Sequence, residues 1–409
     1  MLPFAARLRP PAAALAAVAK LPRLTAAVTA ASRLSALAVL FALPLPAAAF
    51  ETRATSAYVI DVNTGTVLLS KDADVPLPPA SMSKLMTLYM LFEAIEAGTV
   101  TLETPFRVST QARQMGGSRM FLEERHSPTA EDLIRGIAVL SGNDATVVVA
   151  EGLAGSEEAF ARAMTERARA LGMENTNLVN ASGWPHPEHR MSKRDLAILS
   201  ERLIRDFPQY YPYLSELTFT WNDITQPNRV PLLRDNVGLD GLKTGFTSEA
   251  GYSLAGSARQ GTRRIIFVIG GLTSERERAE EAERIITWAF RQFTERRLLA
   301  AGARVAEARV WMGAAPAVGL TLAEDLTVLV PTLAHDSAME AEVVYRGPVE
   351  APVAAGQQLG ELVLQLPDQE PRRIPLVAEA DVERGGFVTR VMTAAEVLYG
   401  RFAGGTAGS

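Results

Sequence analysis

The sequence predicts two domains of different class: a mixed α/β (α+β) domain over residues 50–295 and a small all-β domain over 303–384. Three observations carry this. The 409 residues exceed one typical domain and suffice for two with ample cores. From residue 56 to 293 the pattern opens with β-branched segments, passes into helical spacing, and returns to a strand and a helix. Beyond about residue 303 only short strand-like segments follow, separated by Gly, Pro and Asp.

Taken in order, 56–61 and 66–70 flank Val62-Asn63-Thr64-Gly65 and read as a hairpin. After the Pro-rich 75–79, Leu85, Leu88, Leu91, Phe92 and Ile95 recur at helical spacing within 81–97, and Gly98 stops the helix. Further helices are predicted at 131–140, 144–153, 157–171 and 195–205. A continuous apolar strand at 264–269 precedes Gly270-Gly271 and a helix over 275–293. The second domain takes its strands from 305–311, 326–330, 341–345, 359–366 and 373–378. At 386–402, Phe387, Val391, Ala395, Leu398 and Phe402 share one helical face, so the tail is a candidate amphipathic helix.

Residues 1–49 contain five cations and no acid. Arg33 leads into the apolar run 34–45 and then Ala47-Ala48-Ala49, the order of a secretory signal peptide cleaved before Phe50. The alternative is an uncleaved anchor, although the run is short for a bilayer. Removing these residues leaves a net charge of −10, which gives no bulk affinity for nucleic acid. Export with no cysteine suggests the periplasm, or the outer face of the inner membrane. The missing cysteines also exclude thiol catalysis and thiolate-bound metal. The four histidines form no HExxH motif, so neither a metal nor a cofactor is expected.

Only five of the 41 basic residues are lysines, which makes each informative. In Ser81-Met82-Ser83-Lys84, residues three apart share a helix face, so the Lys84 ammonium reaches back to the Ser81 hydroxyl. A serine nucleophile needs such a base, and a lysine serves once burial and nearby cations lower its pKa. Alone, the pattern reads better as Ser81 capping a helix. Ser141-Gly142-Asn143 offers a hydroxyl to relay a proton and an amide to hold a carbonyl, though these are also ordinary loop residues. Lys243-Thr244-Gly245 offers a charge and a hydroxyl for a carboxylate, with Gly245 allowing close approach of an extended substrate. A basic turn is the plainer reading of that tripeptide.

The order of the three patterns is the stronger signal: 60 and then 102 residues separate their first residues. SxxK, Ser-x-Asn and KTG are the set of the serine penicillin-recognising enzymes. On these stretches, with Ala250-Gly251-Tyr252 extending the last, the sequence resembles the D-alanyl-D-alanine carboxypeptidases, the low-molecular-mass penicillin-binding proteins.

The resemblance implies a β-lactamase/transpeptidase-like domain followed by a β-sandwich. It implies Ser81 as the acylated nucleophile, Lys84 as base, Ser141 in proton transfer and Asn143 on the substrate amide. Lys243 and Thr244 would bind the terminal carboxylate together with Arg229, and the N–H groups of Ser81 and Phe246 would form the oxyanion hole. The substrates implied are peptidoglycan stem peptides, with β-lactams as inhibitors and peripheral membrane contact through the C-terminal helix. Phe246 stands where several relatives have histidine, and Trp184 where relatives often have leucine. His186 and His189 are expected as surface-loop residues. Three alternatives remain at this stage: a cross-link endopeptidase, a class A β-lactamase, and an inactive peptidoglycan-binding protein. No Glu-x-x-x-Asn element lies between Ser141 and Lys243 to support the second.

Overall fold

The computed structural model describes residues 4–7, 50–332, 340–365 and 371–387. The rest of the N-terminal stretch, His335 and nearly all of the predicted tail helix lie outside the described residues. The chain divides into two compact units: among the described residues the first comprises 50–296 and 328–332, and the second 4–7, 297–327, 340–365 and 371–387.

The first unit is built on a five-stranded antiparallel sheet. Its strands are β2 (Ser56–Asp61), β3 (Thr66–Lys71), β6 (Leu239–Thr247), β7 (Gly251–Gln260) and β8 (Arg263–Leu272), in the order β3-β2-β8-β7-β6. β6, which carries the KTG tripeptide, is therefore an edge strand. One face of the sheet packs on α7 (Glu275–Gln292), with Leu254, Phe267, Ile269, Ile285 and Ile286 buried between them. The sheet also holds a buried ion pair, Arg263 to Asp61 at 2.6 Å.

The other face supports the helical layer. It comprises α1 (Lys84–Glu96), α2 (Thr110–Gln114), α3 (Ala130–Ala138), α4 (Asn143–Ala154), α5 (Glu157–Ala170) and α6 (Lys193–Asp206). Side-chain caps start most of these helices where the sequence turns from loop to helical spacing. Thr129 and Asp132 form a capping box at α3, while Ser156 and Ser192 accept from the N3 amides of α5 and α6. α1 is buried on nearly every side, with Met86 and Tyr89 as enclosed as Leu85, Leu88 and Leu91. It is the central helix of the layer rather than an amphipathic one. A 3-10 turn, Ala80–Ser83, precedes it, so Ser81 stands on the turn and Lys84 opens the helix.

Several elements carried too little pattern to be predicted: α2, the hairpin of β4 (Thr218–Trp221) with β5 (Ile224–Pro227), and β9 (Phe293–Leu299). These elements are short or largely exposed and bury too little to leave a periodic signal.

The second unit is β-structured throughout its described residues. A seven-stranded sheet is formed by β1 (Phe4–Arg7), β10 (Arg304–Trp311), β11 (Ala317–Leu322), β13 (Glu340–Tyr345), β14 (Val349–Glu350), β15 (Gln358–Gln365) and β16 (Arg372–Ala378). The strand order is β1-β13-β15-β16-β11-β10-β14. β9 pairs separately with β12 (Leu326–Pro331), and each of these two strands straddles the division between the units. The five strands predicted for this domain are present within a residue or so, and β11 and β14 are additional.

Candidate active site

Three chain segments converge at the edge of the sheet. The first is the turn bearing Ser81. Ala80 adopts φ +50°, and the following 3-10 turn leaves Ser81 partly open while Lys84 is fully buried. Lys84 Nζ donates to Ser81 Oγ at 2.8 Å and to the carbonyl of Ser182 at 2.5 Å. Lys84 is therefore held between the nucleophile candidate and a backbone acceptor. Burial pushes its pKa well below the ordinary lysine value, and the charges of Lys243 and Arg229 push it further. Asp144 acts weakly the other way.

The second segment is the turn from α3 into α4. Ser141 sits on it with φ +61° and is buried, joined to Ser81 and Lys84 by no hydrogen bond. Asn143 opens α4. Its Nδ2 donates to the Gly116 carbonyl at 2.8 Å, and its backbone N–H donates to the Ser118 carbonyl. The buried Asp144 carboxylate accepts from the N–H groups of Met120, Leu122 and Ala145. Loop 115–122 is thereby laced to the start of α4.

The third segment is β6. Lys243 is buried, and burial with the charges of Arg229 and Arg278 lowers its pKa to about 7. Thr244 is nearly enclosed. Gly245 has a steric reason: an added Cβ would lie 2.9 Å from the Pro79 carbonyl and 3.1 Å from Ala80 Cβ. Only a residue without a side chain lets the strand approach the nucleophile turn this closely. Phe246 is 55% exposed and packs on Tyr252 with ring centroids 4.3 Å apart. Arg229 Nη1 donates to Ser118 Oγ at 2.5 Å, so the arginine arrives at the site from the segment before β6.

The cavity between these segments measures about 350 Å³ and is lined by Ser81, Asn143, Ser118, Trp184, Phe246 and Thr247 among others. Of the nine residues singled out from the sequence, Ser81, Asn143 and Phe246 line this cavity, Lys84 hydrogen-bonds to Ser81, Gly245 abuts the nucleophile turn, and Lys243 and Arg229 act electrostatically on Lys84. An activated hydroxyl, a base of lowered pKa, an exposed strand edge and a cationic pocket suit acyl transfer to serine from a substrate ending in a carboxylate.

Four contributors escaped sequence reasoning. The Ser182 carbonyl and the Asp144 carboxylate act through hydrogen bonds that spacing does not reveal. Ser118 is an ordinary loop serine by sequence. Gly183 packs so tightly that a Cβ would stand 1.9 Å from the Ala80 carbonyl, and its φ of +77° marks it as a required glycine. One expectation is corrected. His186 is exposed, but His189 is buried; it accepts from the Val179 N–H through Nδ1, and burial takes its pKa down to about 3. The polar, Pro-containing segment around it gave no sign that the chain folds back over this ring.

Two family models match the chain. One, described as D-alanyl-D-alanine carboxypeptidase, matches residues 44–273, and the other, the C-terminal domain of penicillin-binding protein 5, matches residues 293–384. Over 345 residues the chain is 33% identical to D-alanyl-D-alanine carboxypeptidase DacF of Bacillus subtilis, covering 82% of this chain and 87% of that one. Its fold is similar to penicillin-binding protein 5 from Haemophilus influenzae, with TM-score 0.75, 33% identity, and coverage of 82% of this chain and 98% of that one. It is also similar to penicillin-binding protein D2 from Listeria monocytogenes, solved in an ampicillin-bound form, with TM-score 0.54, 29% identity, and coverage of 59% and 98%.

Proposed function

The chain belongs to the D-alanyl-D-alanine carboxypeptidase family, and from that premise we propose how its own residues carry the reaction. The terminal carboxylate of a stem pentapeptide is held by Lys243, Thr244 and Arg229. The substrate lies along β6, whose outer edge has no strand partner among the described residues. Ser81 Oγ attacks the carbonyl carbon of the penultimate D-alanine while neutral Lys84 takes the hydroxyl proton. The N–H groups of Ser81 and Phe246 stabilise the oxyanion, and the Asn143 amide positions the substrate carbonyl upstream. Ser141 passes a proton from Lys84 to the leaving nitrogen, the C–N bond breaks, and D-alanine departs. Water then releases the acyl group from Ser81 with Lys84 again as base.

The observation that carries this reading is the 2.8 Å contact from Lys84 Nζ to Ser81 Oγ by a lysine whose pKa is well depressed. A β-lactam ring presents an acyl group and a carboxylate to the same cleft, so penicillins acylate Ser81. We place the enzyme outside the inner membrane, on the basic, apolar and small-residue order of residues 1–49. Cleavage there would remove β1, an edge strand, and leave β13 paired with β15. We place the tail at the membrane surface on its apolar face; deletion of 386–409 should then move the protein to the soluble fraction.

The central test is release of D-alanine from a diacetyl-lysyl-D-alanyl-D-alanine peptide. Ser81→Ala should lower the rate by at least ~10³-fold and abolish covalent labelling by a penicillin. Release that survives in Ser81→Ala would end the proposal.

A further inference from the structure

We infer that Glu157, the first residue of α5, is a positioning residue for the base: through the Ala181 N–H it sets the Ser182 carbonyl against Lys84, and so governs the rate at which Ser81 is acylated. The inference rests on the acyl-enzyme reading proposed above and adds to it a residue that does not line the cleft.

The segment that presents the Ser182 carbonyl has no regular structure and, among the described residues, no backbone–backbone hydrogen bond over 180–184. Side chains hold it instead. Asn180 Oδ1 accepts from the N–H groups of Ser182, Gly183 and Trp184 at 3.2, 2.8 and 3.1 Å, which sets the local turn. Two contacts from outside the loop fix where that turn stands. Thr87 Oγ1, one turn after Lys84 on α1, donates to the Ala181 carbonyl at 2.7 Å. The Ala181 N–H donates to Glu157 Oε1 at 3.0 Å. Ala181 is thus clamped through both of its backbone polar groups. The next residue is the one whose carbonyl accepts from Lys84 Nζ.

Ala181 is 0% exposed, and its N–H has no other acceptor among the described residues. Without Glu157 a buried donor is orphaned, and the segment must turn to find water or another acceptor. Rotating Ala181 carries the Ser182 carbonyl with it. Lys84 then keeps its place at the start of α1 but loses the acceptor that aims its Nζ at Ser81 Oγ. The carboxylate itself is oriented. Its second oxygen accepts from Gln111 Nε2 of α2 at 3.0 Å. Both donors are neutral, and no cation pairs with Glu157 among the described residues. Burial raises its pKa against the pull of the two donors, and the carboxylates of Glu158 and Glu151 raise it further. The N-terminus of α5 offsets part of that cost, since the helix dipole favours an anion there. A charged acceptor at this place grips the Ala181 N–H more firmly than a neutral one.

The test uses the full-length protein and a fluorescent penicillin. Stopped-flow labelling over a range of concentrations gives a dissociation constant for the first complex and a first-order rate constant for acylation of Ser81. Glu157→Ala should lower that rate constant roughly tenfold or more and leave the dissociation constant within about twofold of wild type. Glu157→Gln keeps an acceptor for the Ala181 N–H and should retain the rate to within about threefold. Rates are taken per labelled molecule, so a smaller folded fraction does not enter them. Should Glu157→Ala fail to fold, Thr87→Val decides the matter: it removes the opposite clamp on Ala181 and should slow acylation likewise. A wild-type rate constant in the deciding variant, a loss carried by the dissociation constant, or an equal loss in Glu157→Ala and Glu157→Gln would overturn the positioning role. Wild-type protein that penicillin does not label at all would instead sink the acyl-enzyme reading.

Discussion

A lysine works as a base only where its surroundings withdraw support from the ammonium. Lys84 meets that condition through complete burial and two neighbouring cations, Lys243 and Arg229. Arginine cannot substitute, because its guanidinium stays charged at any working pH. Lys84→Arg should therefore lower penicillin acylation of Ser81 by ~10³-fold or more while thermal unfolding still shows a folded first unit. The same cations set the pH profile. Acylation needs Lys84 neutral and the carboxylate pocket cationic, so kcat/KM rises through the lowered pKa of Lys84. It falls as Lys243 deprotonates, at about 7 in the free enzyme. Arg229→Gln removes one depressing charge from both lysines. Both limbs of the profile should shift to higher pH, and substrate binding should weaken as well. A profile that keeps its limbs in place would show that Arg229 does not tune these lysines.

At the scale of elements, the site depends on one loop meeting one turn. Gly183 brings loop 180–184 against Ala80 so closely that the Ser182 carbonyl reaches Lys84. Gly183→Ala adds a Cβ into the Ala80 carbonyl and imposes a left-handed φ on alanine. It should destabilise the first unit by about 1–3 kcal/mol. Acylation should slow more than that loss of folded protein explains, because the displaced carbonyl no longer orients Lys84. Parallel measurement of melting temperature and of penicillin acylation per folded molecule separates the two effects. Equal losses in both would refute the positioning role. This loop also shows where sequence reasoning stops. The helices α3 to α6 were legible because apolar spacing is a local feature. The KTG tripeptide was legible as a motif, whereas its place on an edge strand is set by pairings between distant segments. The packing of Gly183 on Ala80 joins residues about a hundred positions apart, and a glycine between Ser and Trp reads the same in any loop. The burial of His189 was hidden for the same reason: it is decided by what folds over the ring.

For the molecule as a whole, the scarcity of lysine has a thermodynamic counterpart in Lys193, the first residue of α6. It is 1% exposed, and its side chain makes no hydrogen bond or ion pair among the described residues. Its Nζ packs on Gly270, and the hydroxyls of Ser56 and Ser253 on the adjoining strands are likewise buried without partners. Burial alone lowers its pKa to about 8. The unfolded chain keeps the proton up to about 10.5, so between these values the unfolded state binds more protons and stability rises with pH. Below 8 both states are charged and the cost of burial is fully present, on the order of 3 kcal/mol at ~1.4 kcal/mol per pH unit. Lys193→Met fills similar volume without the charge. At pH 7 it should raise the melting temperature of the first unit by several degrees, and by pH 10.5 most of that gain should have disappeared. Lys243 contributes a rise of the same sign from about 7 upward, so the variant keeps part of the wild-type slope. Calorimetric scans of both proteins from pH 6.5 to 10.5 test this. A variant less stable than wild type at pH 7, or one with an undiminished slope, would mean that Lys193 has found compensation in the folded protein.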